Sequence, residues 1–215
     1  MLIQILVDNP KSWIVPYSQK LKTELENKGF LCKLIHQHND IEKGDILILL
    51  SCEKILENLT LNKYNLVVHE SELPKGKGWS PLTWQILEGK NKIPVTLFQA
   101  NEKVDSGVIY GHVIIELDGT ELVDDLREKQ ANATRELLLN FLAAYPTVKG
   151  KEPEGEESFY LRRKPEHSQL DINKTIAEQF NLLRVCDNER YPAFFLIKGV
   201  KYTLKIFKED ETLSN

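Results

Sequence analysis

His69 heads the run His69-Glu70-Ser71-Glu72-Leu73-Pro74-Lys75-Gly76-Lys77-Gly78-Trp79-Ser80-Pro81, and Lys103-Val104-Asp105-Ser106-Gly107 follows one strand-and-helix unit later. An imidazole delivered by a strand into a loop of proline and glycine, answered by a carboxylate in a tight turn, suits acyl transfer. The imidazole can donate to a developing oxyanion or shuttle a proton, and the carboxylate favours and orients its charged form. The constellation comes without a serine or cysteine nucleophile, which points to transfer onto an amine brought by the substrate. Read alone, Asp105 in Asp-Ser-Gly would be a turn former; its pairing with His69 favours a catalytic role.

Lys75-Gly76-Lys77-Gly78 lacks the Lys-Ser/Thr and the strand-to-helix spacing of a phosphate-binding P-loop, yet its amides and lysines could reach a diphosphate. Trp13 and Trp79 fall in loops at the same end and are assigned to substrate contact, and Trp84 to packing. His36-Gln37-His38 has no third ligand at a suitable spacing, so no metal is expected.

The elements that position these residues read as α/β. Leu2 to Val7 is an apolar run, followed by a helical stripe of Tyr17, Leu21 and Leu25 that stops at Gly29. Phe30 to Ile35 and Asp45 to Leu50 are further strands, the latter so continuously apolar that both its faces should be buried, as in a parallel sheet. Asn65 to Val68 brings the chain to His69. Ser80-Pro81 predicts a helix start with a capping hydroxyl. Strands at Ile93 to Phe98 and Val108 to Glu116 flank the aspartate turn, and a helix from about Thr120 to Ala143 covers the sheet. Ligands of such sheets bind beyond the carboxyl ends of the strands, where His69, Asp8-Asn9 and Ser51-Cys52 fall.

The formal net charge of -4 makes the chain a poor partner for a phosphate backbone, so no nucleic acid is expected. Cys32, Cys52 and Cys186 have no paired spacing and read as reduced thiols. With no signal-peptide core and no apolar run of membrane-spanning length, the expectation is a cytoplasmic protein without a membrane partner. The sequence leaves room for a homodimer.

The order strand, His-x-Ser-x-Leu-Pro, glycine loop, Ser-Pro helix start, strand, Val-Asp-Ser-Gly resembles the 10-formyltetrahydrofolate-dependent formyltransferases, whose usual pattern is Asn-x-His-x-Ser-Leu-Leu-Pro and then Asp-Thr-Gly. The resemblance runs from about Ile46 through Tyr110. A weaker one, in Arg162-Arg163-Lys164-Pro165-Glu166, Asn181-Leu182-Leu183-Arg184 and Tyr191-Pro192-Ala193-Phe194, is to the C-terminal part of formyltransferases acting on nucleotide-linked amino sugars. Asp8-Asn9-Pro10-Lys11-Ser12-Trp13 and the Lys-Gly-Lys-Gly-Trp loop are similar to small sugar N-formyltransferases of pseudaminic-acid-type pathways.

The resemblance implies a Rossmann-like formyltransferase domain with a mostly parallel sheet at 1–148. A linker follows at 149–158, then a C-terminal helix and β-hairpin extension at 159–208 and a disordered tail at 209–215. The extension helix carries the stripe Ile172, Ile176, Phe180 and Leu183, and the hairpin pairs Ala193 to Ile197 with Tyr202 to Phe207. His69 and Asp105 are the implied catalytic pair. Folate would lie against Leu50, Ser51, Cys52 and Ile55 on one side and Asn101 to Val104 on the other. A nucleotide-linked amino sugar would meet Asn9, Trp13, Lys75, Lys77, Gly78, Trp79, Arg163, Arg184 and Tyr191. Two departures stand out: Val67 occupies the family asparagine position, leaving Asn65 one strand period back as an oxyanion support, and Glu70 replaces a proline. The rival readings are a methionyl-tRNA or glycinamide-ribonucleotide formyltransferase, and a catalytically silent sugar-nucleotide or folate binder.

Overall fold

In the computed structural model, which describes residues 1–209, the apolar runs become the strands that the two-residue and 3.6-residue periods demand. In chain order these are β1 (Leu2–Leu6), α1 (Val15–Asn27), β2 (Leu31–Ile35), β3 (Gly44–Leu49), β4 (Asn62–His69) and a short β5 (Lys77–Gly78). Then come α2 (Pro81–Leu87), β6 (Lys92–Gln99), β7 (Ile109–Glu116), α3 (Val123–Ala144), β8 (Phe159–Tyr160), α4 (Phe180–Arg184), β9 (Ala193–Ile197) and β10 (Val200–Leu204). Six strands form one sheet in the order β2-β1-β3-β4-β6-β7. Strands β1 to β4 are parallel, and β6 and β7 are added antiparallel. The expected mostly parallel α/β architecture is therefore present, with an antiparallel edge.

Alternation along the strands separates two faces. Ile3, Ile5, Ile46, Ile48 and Leu66 pack with Leu21 and Leu25 of α1 and with Leu126, Leu137 and Phe141 of α3. Leu6, Leu47, Leu49 and Val67 face the other way, beneath Cys52 and Leu56 of the loop after β3. Burial of β3 on both faces explains its unbroken apolar run. Among the described residues no helix is long and apolar enough to cross a membrane.

Several local expectations change. Ser80 has a left-handed backbone (φ 50°) and its side chain makes no capping hydrogen bond; its carbonyl accepts from Trp84 N–H instead. The long helix begins at Val123, where the Asp125 carboxylate accepts the Leu122 N–H at 2.8 Å and satisfies an otherwise unpaired donor. The stripe from Ile172 to Leu183 is not one helix: Ile172 and Ile176 are exposed, and only Phe180–Arg184 is α-helical. The hairpin turns at Lys198-Gly199, both with positive φ, so β10 starts earlier than expected, as two-residue hairpin turns require. A small second core gathers Leu170, Leu183, Cys186 and Ala193. The segment expected as linker is tied down, with Lys151 bridging Ile109 and β8 running parallel to β5. Of the expected tail, residues 210–215 lie outside the described residues.

Candidate active site

His69 ends β4, opposite Thr96 of β6, and its side chain is buried. Its Nε2 lies 2.8 Å from the Gly76 carbonyl. A carbonyl only accepts, so Nε2 carries a proton and donates it to Gly76. Asp105 Oδ2 lies 3.8 Å from the same Nε2 and accepts the Gly78 N–H at 2.8 Å. One carboxylate oxygen thus both faces the imidazole and anchors the glycine loop.

Backbone geometry fixes that carboxylate. Asp105 sits at φ 49°, a left-handed conformation that a short polar residue tolerates better than most. Two residues on, a Cβ on Gly107 would lie 1.7 Å from the Gln99 carbonyl oxygen, so only glycine lets this turn close on β6. Gly78 has φ 94°, and a Cβ there would meet the Tyr160 carbonyl at 2.6 Å, because β8 passes directly beside the loop.

His69 and Asp105 open into a cavity of about 710 Å³ at the carboxyl ends of the parallel strands. Leu50, Ser51, Cys52, Ile55, Asn101 and Val104 line it. Burial pushes the Cys52 thiol up to about 12, with Asp8 adding to the shift, so it is a neutral wall and no nucleophile. Trp13, Gly78, Trp79, Arg163 and Tyr191 also reach the cavity.

Five expected residues do not. Asn65 turns its Nδ2 to the Leu59 carbonyl at 2.8 Å and is buried away from the cavity, three strand residues short of His69. Val67 at the intervening position packs with Leu73, Phe98 and Ile109. Lys77 is buried, its Nζ 2.6 Å from Ser106 Oγ and 2.5 Å from Glu157 Oε1, joining the aspartate turn to the segment before β8. Lys75 is exposed in the turn at Glu72 to Lys75. Asn9 hydrogen-bonds Glu53 at 3.3 Å. Arg184 is fully buried, bonding Glu121 at 3.0 Å, Asn91 at 3.1 Å and Asn181 at 2.9 Å, so it locks the extension onto the sheet.

Other residues complete the wall. Arg127, Gln130 and Thr134 of α3 line it at spacings of three and four, one face of a helix. That polar stripe, within a helix whose apolar face covers the sheet, was the available signal. Arg127 pairs with Asp187 and lies 5.8 Å from the Trp13 ring centroid; Arg162 lies 4.5 Å from that of Trp79. Burial raises the Asp187 carboxyl, but hydrogen bonds from Arg127 and from the Glu189 and Arg190 N–H groups outweigh it and hold the carboxyl below its ordinary range. Glu70 lines the cavity too, and its Oε1 accepts from Gln130 Nε2 at 2.6 Å. Burial pushes this carboxyl up from its ordinary value, partly offset by His69 and by the Gln130 hydrogen bond.

A family model described as Formyl transferase matches residues 15–142. Methionyl-tRNA formyltransferase from Clostridium thermocellum superposes with a TM-score of 0.80 at 20% identity, over 97% of this chain and 93% of that one. A 4-N formyltransferase from Francisella tularensis gives 0.72 at 18%, over 97% and 98%. HypX from Aquifex aeolicus, in complex with tetrahydrofolic acid, gives 0.75 at 18%, over 97% and 38%. At these identities the structural matches speak for the fold.

Proposed function

The chain belongs to the formyl transferase family, whose reaction is folate-dependent formyl transfer, and from that premise we propose that it formylates a nucleotide-linked sugar. The donor is 10-formyltetrahydrofolate and the acceptor the amine of a 4-amino-4,6-dideoxy sugar carried on a nucleoside diphosphate, UDP in the first instance. The product would enter nonulosonic acid biosynthesis of the pseudaminic type or a surface glycan.

The observation that supports this acceptor is the makeup of one wall. Arg163 and Arg190, with Arg127 and Arg162 that also pair with Asp187 and Glu53, line the cavity together with Trp13, Trp79 and Tyr191 in a chain whose net charge is -4. Guanidinium groups match phosphate oxygens in pairs, and aromatic faces receive a base or sugar ring. A tRNA acceptor would call for a broader basic surface than this acidic chain carries. The apolar side chains of Leu50, Cys52 and Ile55 and the backbone of Asn101 to Val104 also line the cavity and fit a flat heteroaromatic ring that needs apolar faces and hydrogen-bonding edges. Bound there, 10-formyltetrahydrofolate supplies the formyl carbon. His69 stabilises the oxyanion as an imidazolium, whose Nε2–H stays with the Gly76 carbonyl and whose charge the Asp105 carboxylate, 3.8 Å away, balances.

A silent binder is the second reading, favoured by Val67, which brings no donor to the position of the family asparagine. Mass spectrometry of the protein with 10-formyltetrahydrofolate and UDP-linked 4-amino-4,6-dideoxy sugars tests both. A product heavier by one formyl replacement supports the enzyme; tight binding of the sugar nucleotide with no product supports the binder. Formylation of methionyl-tRNA instead would replace the sugar reading.

A further inference from the structure

Glu70 follows His69 directly but approaches the cavity from the other face of the sheet. Leu66 and Val68 pack with the helix-side core, Val67 with the loop-side cluster, and His69 continues on Val67's side. Glu70 belongs to the helix side: its carbonyl accepts from Gln85 of α2 at 2.5 Å and its carboxylate from Gln130 of α3 at 2.6 Å. Arg127, one turn before Gln130, is already held by Asp187 and Asp124. Among the described residues no ion pair reaches Glu70. A half-buried carboxylate whose hydrogen-bond partner is a neutral amide is costly unless a cation or a proton arrives to meet it.

We propose that Glu70 is the proton acceptor for the attacking amine, positioned by Gln130 at the cavity wall beside His69. The inference rests on the family's reaction as read above. The amine enters as an ammonium and gives one proton to the Glu70 carboxylate. Its freed lone pair forms the bond to the formyl carbon while the carbonyl π pair moves to oxygen, where His69 donates. When the oxyanion pair returns, the bond from carbon to N10 breaks. A proton from the attacking nitrogen ends on N10, leaving the formamide and tetrahydrofolate, and Glu70 later releases its proton to water. Burial pushes the Glu70 carboxyl up, which makes the carboxylate a stronger base when ionised. The charged groups acting on it are His69, which favours its ionised form, and Asp105, which opposes it. The guanidinium of Arg127 stands on the same helix face as Gln130.

The test is the pH dependence of kcat/KM for the full-length protein with 10-formyltetrahydrofolate and whichever of two amines it formylates, a UDP-linked 4-amino-4,6-dideoxy sugar or methionyl-tRNA. Glu70→Gln keeps the shape and removes the base. Its kcat/KM should fall about 10²-fold at pH 7, a general-base loss, and the deficit should shrink about tenfold per pH unit as solvent deprotonates the amine. Gln130→Leu keeps the base but removes the hydrogen bond that favours its ionised form, so the acid limb should move to higher pH. A purely structural role would give a deficit constant with pH and an unmoved limb, and either result overturns the proposal, as does full activity of Glu70→Gln. Wild-type failure on both amines would sink the functional reading and this inference together, whereas an active wild type with unmoved limbs sinks the inference alone.

Discussion

The Gly78 N–H and the Asp105 carboxylate, 27 positions apart, meet at 2.8 Å through the same Oδ2 that faces His69. That one oxygen couples the shape of the glycine loop to the electrostatics of the imidazole.

Asp105→Asn and Asp105→Ala should therefore differ. Asparagine keeps an acceptor for Gly78 but loses the charge, so turnover falls while the loop holds. Alanine loses both and also places a less tolerant residue at positive φ. Crystal structures of the two variants, with kcat measured alongside, check this; a displaced loop in the asparagine variant would refute the division.

His69→Ala should lower kcat about 10²- to 10⁴-fold, the usual reach of an acid-base group, with little change in substrate Kd. Its interactions strengthen only as charge develops. Near-wild-type turnover in the folded variant would remove the imidazole from the mechanism.

His69 and Asp105 were legible because each ends a local pattern, a strand running into a loop or a turn between strands. The parallel strands were legible because β3 is apolar without a break from Ile46 to Leu49. Arg184 and Lys77 were misread because a lone cation in a sequence looks like a ligand contact, while the partners that bury it, Glu121 and Glu157, lie 63 and 80 positions away. Glu70 was visible as a departure, but its use depends on Gln130, 60 residues on. Ile172 and Ile176 had helical spacing without a surface to cover, so the period alone misled.

Arg184→Ala should destabilise the fold by about 1.5–3 kcal/mol, because Glu121 would lose its buried partner and keep only the half-exposed Lys129 and the Asp118 and Gly119 N–H groups. Arg184→Met combined with Glu121→Gln should recover much of the loss, since no uncompensated charge remains. Urea unfolding of the single and double variants measures it; additive losses would refute the pairing.

Asp187 makes a pH-dependent contribution. Its folded value is depressed, so the stability it adds is complete above the unfolded aspartate value, about 3.9, and is lost as pH falls through the folded value. Wild type should therefore exceed Asp187→Asn in thermal stability at pH 6, and the gap should close in acid below that unfolded value. A gap constant from pH 6 to pH 3 would assign the effect to shape rather than charge.

Tyr191 is brought to the cavity by the C-terminal extension, next to Arg190, and is partly exposed. If it stacks on the base of the acceptor, Tyr191→Ala should weaken sugar-nucleotide binding by about 1–3 kcal/mol, the scale of one base on one aromatic face. Folate affinity should be unchanged, because the folate is assigned to Leu50, Cys52 and Asn101. Arg190→Ala should also weaken the nucleotide, but with a salt dependence that Tyr191→Ala lacks, since a guanidinium facing phosphate is screened by added ions and a stacked ring is not. Calorimetric titrations of UDP alone and of the folate, at low and physiological salt, separate the two effects. Equal UDP affinity in wild type and both variants would leave the extension a structural role, anchored through Arg184.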